Sequence, residues 1–278
     1  MITPSIYSVT AEPIRISPAG YPENEDLAGT LWKPILSDTL DPNVSEVGCW
    51  IIPSPPGDDR KGAYLALSRL AKTIAERGGL ALQFDFYGCG ESSGHFEDAD
   101  WDRWLADIGA GIMRLEEEKG KYPYLQATTL TLFGGRLGAR LAIEATEDLS
   151  CQLVFWDALY DAEAWFTEWR RRSRFRLGEP AKELSDNDLD GYLFSETLRS
   201  QLKDKRDIPP PPQAGESSAR FIALAGDGRI PSGTKKWAEA WDVSVEALPI
   251  PACWLAADPS DPKELIRLTL EPDVTYVQ

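Results

Sequence analysis

Histidine is almost missing from this sequence: His95 is the only one among 278 residues, so any imidazole-dependent chemistry is confined to one position. Cysteine is sparse as well. The four cysteines, Cys49, Cys89, Cys151 and Cys253, stand singly, with no CxxC pair and no spacing for a zinc site or a disulfide framework. Three of them sit in apolar or glycine-rich surroundings, as reduced, buried cysteines of a cytoplasmic protein do, and neither a metal nor a cofactor is expected. No stretch approaches about 18 consecutive apolar residues, the length that spans a bilayer. Residues 1–18 lack the basic start and apolar run of a secretion signal. Both absences argue against membrane insertion. Basic charge is scarce too, at 29 Lys and Arg against 45 Asp and Glu, a formal net charge of −16. That balance repels phosphate backbones and anionic lipid, which excludes nucleic acid from the expected partners, and it favours solubility.

What is present is a chain of one-domain size with 42% hydrophobic residues and a strong α/β rhythm. Residues 6–36 read as an antiparallel edge hairpin with turns near Gly20 and Asp26. Apolar runs at Val47–Ile52, Leu80–Phe84, Thr128–Phe133 and Cys151–Trp156 read as buried strands. Helical spacing over Ala63–Arg77, Trp101–Leu115 and Leu137–Ala145 places helices between them. Strands alternating with helices predict a mostly parallel central sheet, flanked on both faces. Residues 157–218 break the rhythm with the aromatics Trp165, Phe166 and Trp169 and the run Arg170-Arg171-Arg172. The pattern resumes with a strand at Arg220–Ala225, a helix at Thr234–Trp241, a strand at Val243–Leu248 and a helix at Pro262–Leu270. The division is therefore a core of residues 1–156 and 219–278 with a helical cap, 157–218, inserted between strands 6 and 7. Such a cap covers the sheet's C-terminal edge, where open parallel sheets bind ligands.

Three motifs fall on this edge in order. Phe84-Asp85-Phe86-Tyr87-Gly88-Cys89-Gly90-Glu91-Ser92 is a D-x-x-G-x-G-x-S turn after one strand. Gly134-Gly135-Arg136-Leu137-Gly138 joins a strand to a helix as G-x-S-x-G does, with arginine at the centre. Asp227-Gly228-Arg229-Ile230-Pro231 matches D-x-x-[VI]-P, the place of a triad acid. This combination resembles the α/β-hydrolase fold. A guanidinium is always protonated and cannot act as a nucleophile, so acyl-enzyme chemistry at Arg136 is excluded. Where the triad histidine belongs, the sequence offers Cys253 or Trp254, and His95 lies far upstream.

Within that superfamily, the segment Asp85–Gly94, the downstream Trp101-Asp102-Arg103-Trp104-Leu105 and the arginine-centred elbow resemble the second class of exosortase A system-associated hydrolases. Asp190-Gly191-Tyr192-Leu193-Phe194-Ser195 is similar to that family's cap segment. The resemblance implies a bacterial cytoplasmic protein tied to exopolysaccharide production, with no known substrate. The degenerate triad is then Arg136, Asp227 and Cys253, and an Arg136–Asp227 ion pair is expected to replace the catalytic chain. The alternative is that Arg136, with Asp58, Arg60, Trp165 and Tyr192, binds a small anionic or acyl ligand beneath the cap. Asp58 and Arg60 are otherwise expected to be solvated. Two further readings stand beside an accessory, non-catalytic role: a rearranged ester or thioester hydrolase using His95, Asp227 or Cys253, and a protein-docking subunit anchored by exposed cap tryptophans.

Overall fold

The structure is a computed structural model that describes residues 7–35, 47–178, 186–215, 217–254 and 262–271. Alternating extended residues pair β1 (Val9–Ile16) with β2 (Leu27–Pro34) in the expected antiparallel hairpin. The apolar runs form β3 (Cys49–Pro53), β4 (Leu80–Phe84), β5 (Leu130–Gly135) and β6 (Gln152–Trp156). Between them run α1 (Asp59–Glu76), α2 (Trp101–Lys119) and α3 (Gly138–Ala145). The chain then passes through α4 (Ala162–Leu177), a small hairpin of β7 (Asp188–Leu189) and β8 (Tyr192–Leu193), and α5 (Glu196–Asp204). It closes with β9 (Ser218–Leu224), α6 (Ser232–Ala240), β10 (Val245–Leu248) and α7 (Lys263–Leu270).

Eight strands make one sheet of order β1-β2-β4-β3-β5-β6-β9-β10, parallel from β4 to β10 and antiparallel at the β1 and β2 edge. Alternation along each strand splits the core between the two faces. Ile51, Leu82, Leu132 and Phe155 pack on one side with α2 and α3, whereas Trp50, Ile52, Phe133 and Trp156 pack on the other with α1 and α7. The residues between β6 and β9 add to the first of these clusters. Their Trp165, Phe166, Trp169 and Phe194 join the same apolar cluster as Phe96 and Trp104. These rings meet edge to face, Phe96 and Phe194 at 4.9 Å and Trp165 and Trp169 at 5.2 Å between centroids. The aromatics of this segment therefore pack among themselves and against Phe96. With Trp165 and Trp169 buried, the expected tryptophan anchors do not reach the surface.

Some of the departures from expectation have a clear local reason. Helix α1 begins at Asp59, four residues before its apolar periodicity, because an acidic side chain suits the positive end of a helix. Strand β5 runs on through Gly134 and Gly135, which stay in register with Phe155 and Trp156. In the cap, Asp190 and Gly191 both adopt positive φ (57° and 84°), the two-residue turn that closes a tight hairpin.

Candidate functional site

The turn from β5 into α3 holds Arg136 at φ 54°, a left-handed conformation that costs an L residue about 1–3 kcal/mol. Neighbouring backbone secures it: Arg136 N–H donates to the Trp156 carbonyl (3.0 Å), and the Arg136 carbonyl accepts from Leu159 N–H (3.1 Å). Gly134 makes the turn possible, since a Cβ there would lie 2.5 Å from Ala139 Cα. At Gly138 a Cβ would meet open space, so only the first glycine of the motif is sterically required. A strained elbow thus persists around a residue that cannot attack.

The expected Arg136–Asp227 ion pair does not form. Asp227 is exposed, and its carboxylate accepts the Arg229 backbone N–H at 3.0 Å. Arg136 instead reaches Asp59 and Glu168, through Nε to Asp59 Oδ2 (3.4 Å) and Nη2 to Glu168 Oε1 (2.7 Å). Asp59 also accepts from Trp165 Nε1 (2.9 Å) and from Arg172 Nη2 (2.8 Å). The elbow, the start of α1 and the inner face of α4 are therefore tied in one network. Burial pushes the Asp59 carboxyl up, but the guanidiniums of Arg136 and Arg172 outweigh it and hold it below the usual range. Burial likewise opposes charge on Arg136, and Asp59 and Glu168 overcome it. The group stays cationic.

Asp58 and Arg60, the flanking residues, are not solvated as expected. Asp58 is buried and accepts from Arg176 Nη2 at 2.8 Å; Arg176 also pairs with Asp190, which accepts Trp169 Nε1 at 3.1 Å. Arg60 grips Asp85 with two N–H groups, both at 2.7 Å. The loop approaches the cap so closely that a Cβ on Gly57 would lie 2.3 Å from the Trp169 ring. Of the five expected ligand contacts, Asp58, Arg60, Arg136 and Trp165 are committed to protein partners. Tyr192 packs between Phe96 and Trp169 under the Lys61 ammonium.

The buried acid of the edge is Asp157, just past β6. At φ 45° it folds its carboxylate back to accept Leu224 N–H at Oδ1 (2.8 Å) and Trp254 Nε1 at Oδ2 (3.1 Å). The donor at Oδ2 is thus an indole N–H, and an indole has no basic nitrogen. Burial raises the Asp157 carboxyl to about 6. Cys253 is buried beside it, and that burial, reinforced by the Asp157 charge, pushes its thiol up to about 12, too high for a thiolate nucleophile at neutral pH. His95 is exposed, one residue before the short 3₁₀ turn Phe96–Asp98. His95 does not line the depression that Asp227 borders, and Cys253 is buried between two residues that do, Ala252 and Trp254.

Sequence reasoning missed Asp59, Asp157, Glu168 and Arg172. Glu168 and Arg172 lie four residues apart on α4, a spacing that puts both on one helix face and is readable as such. Asp157 could have been sought as the first polar residue after the apolar run of β6.

No family model matches the chain, and no curated protein matches it. Solved structures do. Est1E from Butyrivibrio proteoclasticus with ferulic acid bound is 17% identical over 93% of this chain and 96% of its own, with a TM-score of 0.59. A soluble variant of the monoglyceride lipase of Saccharomyces cerevisiae in complex with a substrate analogue is 11% identical over 99% and 98%, also at 0.59. A serine hydrolase without a lid from Xanthomonas campestris is 14% identical over 98% and 99%, at 0.54. Together with the eight-stranded sheet and its flanking helices, these likenesses show that the chain has the α/β-hydrolase fold.

Proposed function

We propose that this is a non-catalytic α/β-hydrolase-fold protein, a cytoplasmic accessory or ligand-binding factor in a bacterial exopolysaccharide and exosortase-linked pathway. The pathway rests on the resemblance of the Asp85–Gly94 turn, the Trp101–Leu105 segment and the elbow. The loss of chemistry rests chiefly on one observation: Arg136, at the nucleophile position, is buried and engaged by Asp59 and Glu168. A fold outlives the reaction once grafted on it when its former site becomes part of the packing. Trp254 against Asp157 supports the same reading.

A panel of short and long acyl esters and thioesters tests it. No turnover above the solvent rate is expected from the wild type. Turnover that disappears in Asp157→Asn or Cys253→Ala would overturn the reading in favour of a rearranged hydrolase. Docking through the cap keeps one supporting observation, Phe175 near the end of α4, which is 88% exposed. A second protein bound there would be released by Phe175→Ala.

A further inference from the structure

Beside the elbow, the loop after β9 and the loop before α7 leave an open depression of about 530 Å³, a size common for small-molecule sites. Its walls are apolar, formed by Leu224, Ile230, Pro231, Pro251 and Ala252. Arg136 and Asp157 lie at its floor, 5% and 2% exposed, while Asp227 and Arg229 stand exposed at its rim.

The charges at and behind the floor do not balance. Behind it, the guanidiniums of Arg136 and Arg172 are met by the carboxylates of Asp59 and Glu168, and Asp157, beside Arg136 in the lining, is a third carboxylate. Asp59 and Glu168 share the guanidiniums, and Asp157 has no cation at ion-pair distance among the described residues. Among the described residues its oxygens accept only the Leu224 and Trp254 N–H groups, two of about four acceptor positions on a carboxylate. A buried carboxylate without a counter-ion is costly, and a cation brought to it recovers that cost.

Resting on the non-catalytic reading, and deepening it, we propose that this depression binds a small organic ammonium ion, its apolar body against Ile230 and Pro251 and its N–H groups on Asp157. An anionic ligand is disfavoured, since the charge of Arg136 is already taken up and the floor carries a surplus carboxylate. The groups that face Asp157 are Arg136 from the elbow, Glu168 from α4 and Cys253 from the loop before α7, with Asp227 and Arg229 both exposed at the rim. Of these, Asp157 itself titrates near 6, so ammonium binding strengthens as pH rises through that value.

Calorimetric titration of the full chain with benzylammonium, benzoate and benzamide at pH 7.5 tests the proposal. Benzylammonium is expected to bind, with benzoate and benzamide weaker by at least about tenfold. Lowering the pH to 5 should weaken benzylammonium by about tenfold, the fall in ionised Asp157. Asp157→Asn should abolish the preference for the ammonium, and asparagine tolerates the left-handed backbone at this position. Should that variant fold poorly, Ile230→Trp fills the mouth from a partly exposed position without touching the carboxylate, and should block binding with Tm retained. Binding of benzoate in preference, binding of none of the three, or binding indifferent to both variants would overturn the proposal. Ester turnover by a wild type that still binds benzylammonium would overturn the non-catalytic reading and leave the ammonium site standing.

Discussion

Truncating Arg136 leaves Asp59 buried with Arg172 as its one remaining cation and strips Glu168 of its closest partner. Breaking a buried pair from one side typically costs about 3–5 kcal/mol. Arg136→Ala is therefore expected to lower stability by roughly that amount in urea titration, whereas Asp227→Ala, at an exposed position, should stay within about 0.5 kcal/mol. Equal losses in the two variants would return Asp227 to the network. A second buried acid, Asp107 on α2, accepts Tyr21 O–H (2.7 Å) and Tyr87 N–H (2.8 Å), and burial raises it to about 7. Its folded pKa lies above its unfolded one, so its contribution is fully present below about pH 4 and is lost as pH rises through 7. Asp157 acts in the same direction up to about pH 6, and Asp59, held low, acts oppositely below pH 4. Asp107→Asn is expected to flatten the fall in Tm between pH 5 and 7.5. Asparagine can keep the Tyr87 bond and donate to Tyr21, whose hydroxyl also lies 3.1 Å from the Arg103 carbonyl.

Helix α4 is held at the sheet edge by charges on one flank and by Trp169 against Gly57 on the other. Gly57→Ala adds a methyl group 2.3 Å from that ring at φ 68°, and a misfit of this kind costs about 1–3 kcal/mol. Faster amide exchange over residues 162–177 and a red-shifted tryptophan emission would report the displaced helix; unchanged exchange would mean that the loop yields instead. The elements themselves were legible because buried strands announce themselves as apolar runs, as at Leu80–Phe84, and helices as periodic stripes. The hairpin β7–β8 was overlooked because its strands are two residues each, although Asp190-Gly191 carries the turn signal. The elbow was readable as local chemistry, a glycine and a strand-to-helix change around Arg136. Its partners were not, since Asp59 and Glu168 lie 77 and 32 residues away and only the assembled edge brings them near. The D-x-x-[VI]-P motif pointed to Asp227, but its loop turns that carboxylate towards its own backbone and solvent, and Asp157 takes the buried place.

At the scale of the whole molecule, the charge of −16 sets what the surface meets. Mobility-shift assays with duplex DNA and co-sedimentation with anionic vesicles are expected to show no binding at physiological salt, and retention by either would contradict the exclusion drawn from composition. Among the described residues no helix is long and apolar enough to cross a membrane. The arginine at the elbow also bears on descent. A guanidinium buried in this turn is tolerable only beside acids supplied by two other elements, so the three positions are coupled in inheritance. Across related chains, arginine at the position of Arg136 should co-vary with acidic residues at those of Asp59 and Glu168, and a lineage that regained serine would be released from keeping either.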